Sequence, residues 1–107
     1  MKEEILQKAY NIDKATSKVL LLLLKEKKGL LVLYLCGQLD YSRSCVQKAL
    51  IKLQQLGLVN KAQENTEPRG FRYVYYSKTE EEVLKEVKEI IGTYMKELET
   101  TINTWKE

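Results

Sequence analysis

The side chains best suited to grip a charged polymer are gathered in one short stretch. Ser42, Arg43, Ser44, Gln47, Lys48, Lys52 and Gln55 recur at spacings of one, three and four, and residues 41–60 contain no aspartate or glutamate. Cys45, Val46, Ala49, Leu50, Leu53 and Leu56 recur between them at helical spacing. The stretch therefore predicts one amphipathic helix over 42–56 with an apolar side and a cationic, amide-bearing side that also holds Ile51. Guanidinium and ammonium groups neutralise phosphates, while guanidinium and carboxamide groups can pair with base edges. Arg43 and Gln47 are the candidates for base edges. Ser44, Lys48 and Lys52 are the candidates for phosphates, and Ser42 sits beside them at the helix start.

Both ends of this helix are written in the sequence. Ser42 is a candidate N-cap, and Tyr41 and Val46 occupy the two positions of a hydrophobic staple. Gly57 can take the left-handed conformation of a Schellman stop, with Leu58 falling back on Leu53. After Gly57 the period changes to two. Leu58–Gln63 and Phe71–Ser77 predict the strands of a β-hairpin, with a polar tip at residues 64–70 that holds the only proline. Phe71, Tyr73 and Tyr75 share one face of the second strand, and Arg72, Val74 and Tyr76 share the other. Lys61, Arg69 and Arg72 are this hairpin's candidates for phosphate or minor-groove contact. For Lys61, simple hairpin solubility explains the residue equally well. The tyrosines are expected to pack on the sheet, since a duplex offers no unstacked base.

Upstream, residues 2–10 predict a helix or an arm with Ile5, Leu6, Ala9 and Tyr10 on one face. Asp13 can cap a helix running to about Lys28, with Gly29 as its stop. Val19–Leu24 is apolar all round, as in a helix buried on more than one side. Leu30–Leu39 fits a buried strand or a short helix. Helix is chosen because a capped helix follows it across the short turn Leu39–Asp40, and Gly37 is expected to let the two pack closely.

Downstream, Thr79 and Glu82 form a capping box ahead of a long helix whose first turn also holds Glu80 and Glu81. Leu84, Val87, Ile91, Tyr94, Leu98, Thr101 and Trp105 follow a heptad seam, weak only at Thr101. Over 79–105 such a helix extends roughly 40 Å. So small a domain cannot cover it, and a second copy of the chain is the expected partner. The organisation expected is therefore a DNA-binding unit over 1–78 and a dimerisation helix over 79–107, built as one structural unit. Net charge agrees with that polarity: it is +3 over residues 41–60 and −4 over residues 79–107.

Other functions are disfavoured by what the chain lacks. There is no histidine, so neither a histidine triad nor a histidine metal site can form, and no glycine-rich phosphate loop is present. The carboxylates read as a solvated helix face, so an enzyme is not expected, and no cofactor is implied. Cys36 and Cys45 are too few for a structural zinc site. They read as small core residues of a reducing cytoplasm rather than a redox pair. The charged N-terminus shows no secretion signal, and the apolar run 19–24 is too short for a bilayer. A cytoplasmic protein is expected.

The stretch Leu-Asp-Tyr-Ser-Arg-Ser-Cys-Val-Gln-Lys-Ala-Leu-Ile-Lys-Leu-Gln-Gln-Leu-Gly-Leu-Val, residues 39–59, resembles the winged helix-turn-helix of archaeal TrmB-like, MarR-like and ArsR-like transcription regulators. Arg-Gly-Phe-Arg-Tyr, residues 69–73, is similar to their wing, and the C-terminal helix resembles the dimerisation helix of small members, some of them viral. The resemblance spans residues 13–105. It implies a mainly α winged-helix fold and a homodimeric transcription regulator on double-stranded DNA. Ser42, Arg43, Ser44, Gln47 and Lys48 match the reading positions, and Arg69 and Arg72 match the wing. Two departures stand out. The helix before the reading helix is unusually apolar, and there is neither an effector domain nor a cysteine-rich metal-sensing motif, so no small-molecule ligand is implied. A non-specific architectural DNA-binding protein and a winged-helix protein-interaction module are the alternatives.

Overall fold

The apolar run at the middle of the second helix is the hub of the structure. Val19, Leu20 and Leu23 are fully buried, Leu24 nearly so, and Leu21 and Leu22 close the edges. The computed structural model describes residues 1–67 and 70–106. In chain order it contains α1 (Lys2–Tyr10), α2 (Lys14–Glu26), α3 (Val32–Leu39), α4 (Arg43–Gln55), β1 (Val59–Asn65), β2 (Phe71–Ser77) and α5 (Glu80–Thr104). The fold is mainly α, with one antiparallel hairpin and a long C-terminal helix, in agreement with the sequence. Helix α2 packs on α4 and α1, and α3 packs across both α2 and α4. Leu35, Val46, Leu50, Leu53 and Leu58 complete the core.

Local chemistry sets most boundaries. The Asp13 carboxylate accepts the Thr16 amide at 2.8 Å and starts α2. The Ser42 hydroxyl accepts the Cys45 amide at 3.1 Å and starts α4. Such caps contribute about 1 kcal/mol each. At the far end of α4, Gly57 has φ 74°, the Leu58 amide bonds the Leu53 carbonyl at 2.9 Å and the Gly57 amide bonds that of Gln54 at 3.0 Å. That is the Schellman stop, and Leu53 and Leu58 are both fully buried beneath it.

Several expectations are corrected. Helix α2 stops at Lys27, which takes the left-handed conformation at φ 57°, and not at Gly29. Gly29 serves a different need: a Cβ there would lie 2.7 Å from the Tyr76 ring, so the hairpin packs on bare backbone. Leu30 is extended and forms an isolated bridge with Tyr75, giving amide–carbonyl bonds of 3.0 and 2.9 Å, so the helix begins only at Val32. Gly37 is exposed, and an added Cβ would meet nothing, so it is not a close-packing glycine. Strand β1 runs Val59–Asn65, one residue later at its start and two at its end than expected, because Leu58 is used by the helix stop. Cys36 and Cys45 are free thiols at half-buried positions, not core residues.

Helix α5 carries the predicted capping box, with Thr79 and Glu82 bonded reciprocally. Its first half docks on the body through Val83 and Val87, and the Tyr10 hydroxyl donates to Glu86, which also takes the Lys78 ammonium at 2.9 Å. From Ile91 to Lys106 every residue is exposed. The radius of gyration is 17.0 Å, against roughly 13 Å for a compact domain of this length. The projecting helix accounts for the 68 Å long axis.

Hydrogen bonds from Thr16 hold the Asp13 carboxyl below its usual range, and the Lys78 hydrogen bond does the same for Glu86. A carboxyl depressed in the folded state stabilises the fold above its unfolded pKa, about 4, and loses that contribution as pH falls through the folded value. Asp13→Asn keeps a capping oxygen but cannot titrate. Its urea midpoint is expected to stay near wild type at pH 7 and to fall less than wild type's between pH 4 and pH 2.

Candidate nucleic-acid interface

Helix α4 presents one continuous polar face. Its apolar side, Val46, Ala49, Leu50 and Leu53, is locked into the core, which fixes the rotation of the helix about its axis. Ser42, Arg43, Ser44, Gln47, Lys48 and Lys52 are all exposed on the other side, as predicted, together with Gln55. The Ser42 oxygen is occupied as a cap acceptor, and its proton is free to donate. Among the described residues, no carboxylate pairs with Arg43, Lys48 or Lys52. Ile51 is 54 % exposed in the middle of this face. Its neighbours at helical spacing are Gln47, Lys48 and Gln55, and an apolar side chain there can meet a thymine methyl group.

The hairpin follows directly, with Lys61 opposite Tyr75, Gln63 opposite Tyr73 and Glu64 opposite Arg72. Lys61 is exposed, and its Nζ lies 4.0 Å from the centroid of the Tyr73 ring. Phe71 and Tyr73 meet edge to face at 5.4 Å. Lys61 and Tyr73 share the hairpin face that also holds Tyr75, and the cation–π contact leaves the charge of exposed Lys61 accessible. Arg72 is placed differently from a free wing cation: its Nε donates to Glu64 at 3.0 Å, so its charge is already half-answered inside the hairpin. Arg69 lies outside the described residues. Val74 and Tyr75 are buried, whereas Phe71, Tyr73 and Tyr76 are partly exposed, Tyr73 packing on Phe71 and Lys61 within the hairpin and Tyr76 on Gly29.

On α5, Leu84, Ile91, Tyr94, Leu98 and Trp105 of the expected seam are exposed. Val87 is not free for it, since it is buried against the chain's own body beside Val83. Met95 and Ile102 are exposed and were missed. The signal was present: Ile91, Met95, Leu98, Ile102 and Trp105 alternate four and three without the weak Thr101. Among the described residues no helix is long and apolar enough to cross a membrane.

The arrangement is thus a helix-turn-helix followed at once by a hairpin, with the cationic face of α4 outward and a long helix beyond. No protein-family model matches the chain, and no curated protein does. Solved structures share the fold. A structure described as a possible transcriptional regulator from Methanosarcina mazei superposes with a TM-score of 0.84 at 22% identity, covering 98% of this chain and 88% of that one. The crystal structure of a protein from the thermoacidophilic archaeon Sulfolobus tokodaii gives 0.71, also at 22% identity, over 88% of this chain and 91% of that one.

Proposed function

We propose that this chain is a homodimeric winged-helix transcription regulator that binds double-stranded DNA with sequence preference. Residues 1–78 form the DNA-binding unit and residues 79–107 the dimerisation helix. The observation that carries the reading is the α4 face: three cations with no carboxylate partner among the described residues, together with Gln47 and Gln55, exposed on a helix fixed at both ends. The likeness to a structure described as a possible transcriptional regulator supports it. In this reading the N-terminal part of α4 enters a major groove. Arg43 and Gln47 face base edges, Ser42, Ser44, Lys48 and Lys52 hold phosphates, and the wing, with Lys61, Arg69 and Arg72, lies on the neighbouring backbone. Two-fold symmetry then requires a near-palindromic site, with half-sites about 34 Å apart.

The test is selection of bound duplexes from a random pool at two salt concentrations. Enrichment of a short inverted repeat, with affinity that falls as salt rises, is the expected result. Binding without enrichment would make the chain an architectural protein. No binding at low salt would leave a protein-interaction module, for which exposed Ile51 and Leu33 offer contact surface. The Arg72–Glu64 pair gives a further check. Glu64→Gln releases the guanidinium, so affinity is expected to rise a few-fold and the salt slope to steepen by about one ion. Anisotropy titrations at two salt concentrations read both.

A further inference from the structure

The exposed half of α5 and a groove at its docked half have complementary character. The groove, of about 520 Å³, lies between α1, α2 and α5, with Ile5, Leu6, Leu21, Leu24 and Leu84 forming much of its apolar lining. On α5 the side chains of Leu84, Ile91, Tyr94, Met95, Leu98, Ile102 and Trp105 are 38–77 % exposed. With full surfaces of roughly 200 Å² for an aliphatic side chain and 250 Å² for an aromatic one, this leaves about 850 Å² of apolar surface per chain. A stable dimer buries about 800 Å² per partner, whereas a monomer rarely leaves so large a patch in water.

We infer that a second copy of the chain covers this surface, with the α5 helices antiparallel about a point between Tyr94 and Met95 and Trp105 of each subunit seated at the groove of the other. This rests on the homodimer reading above and specifies its register. The register follows from matching the stripe to itself. Pairing Leu84 with Trp105 sets Ile91 against Leu98 and Tyr94 against Met95, so six of the seven exposed apolar residues of α5 meet one another, and Ile102 falls at the turn of Val87, a residue that lines the groove. The overlap is about 31 Å long. Centring the pair on Leu98 instead would match Trp105 with Ile91 and leave Leu84 and the groove open to water. A parallel pair would bring Glu80, Glu81 and Glu82 of both chains together at one end and align the two helix dipoles. The antiparallel register places Lys106 of one chain opposite Val83 of the other, next to those glutamates, and brings Glu99 close to Lys88.

Trp105 is the only tryptophan, so its emission reports its own surroundings. At concentrations where sedimentation shows a dimer, emission is expected at shorter wavelength than after dilution to monomer. Ile5→Glu, on the α1 rim of the groove and 40 % exposed, is expected to shift that emission to longer wavelength while the α5 pair still holds the dimer. Disulfide trapping fixes the register, since a bridge needs Cα atoms within about 7 Å. In a Cys36→Ser, Cys45→Ser background, Leu84→Cys combined with Trp105→Cys should give a covalent dimer, and either substitution alone should not. A dimer trapped by Leu98→Cys alone, but not by the double variant, would overturn the register and leave the homodimer intact. Bridging by Leu84→Cys alone would mean a parallel pair and overturn it equally. A monomer at all concentrations would overturn the homodimer reading itself.

Discussion

Arg43→Ala is expected to lower discrimination between the selected DNA site and a site altered at one contacted base by about 1–3 kcal/mol, the contribution of a bidentate base contact. Arg43 opens α4, one residue after the cap, on the turn that enters a groove first in this mode of binding. Lys52, more than two turns further on and at the opposite edge of the exposed side, is expected to behave differently. Lys52→Ala should weaken binding to all sequences alike and reduce the salt slope by about one ion, because a phosphate contact carries no base information. Competition titrations of the two variants against matched and altered duplexes separate the roles. If Arg43→Ala kept both affinity and preference, the reading face would have to lie elsewhere.

The second large effect concerns what holds that face in place. Leu53→Ala is expected to destabilise the fold by about 3 kcal/mol, within the 2–5 kcal/mol range for buried leucine truncations. Leu53 is fully buried, contributes the carbonyl that closes the α4 stop, and packs in the core with Leu58. Small domains have only about 5–15 kcal/mol in total, so the loss is a large share. A urea melt at fixed protein concentration should show a lower midpoint with an unchanged slope. Gln55→Ala, on the exposed side of the same helix, should leave the midpoint almost where it was. Equal midpoints for the two variants would show that α4 is not held by its apolar side.

What could be read from the sequence was mainly what neighbouring residues decide among themselves. The Ser42, Asp13 and Thr79 caps and the Gly57 stop each involve residues within a few positions, the two hairpin strands adjoin in the chain, and each of these appears in the structure. The misreadings share a different cause. Gly29 looked like a helix stop because its true reason, the Tyr76 ring, is far away in the chain. Leu30 looked helical because its hydrogen-bond partner is on β2. Val87 fitted the heptad seam in spacing, yet lies close enough to the body to be buried by it, and no one-dimensional period distinguishes those two fates. On the candidate interface, the exposure of the α4 cations followed directly from amphipathicity. The holding of Arg72 by Glu64 did not, because it depends on the strand register that sets them opposite one another.

The bridge between Leu30 and Tyr75 also bears on how the chain folds. These residues are 45 positions apart, and the loop they close contains α3, α4 and all of β1. Closing so long a loop is entropically unfavourable until the helices inside it have docked and shortened the search. The hairpin can zip locally, but its attachment to the body should come late, after α2 and α4 have met. Once made, the attachment links the two ends of that loop, so the backbone amides of Leu30 and Tyr75 should exchange with solvent together rather than with the freer hairpin tip. The base of the hairpin is thereby tied to the segment between α2 and α3 rather than left as a free projection.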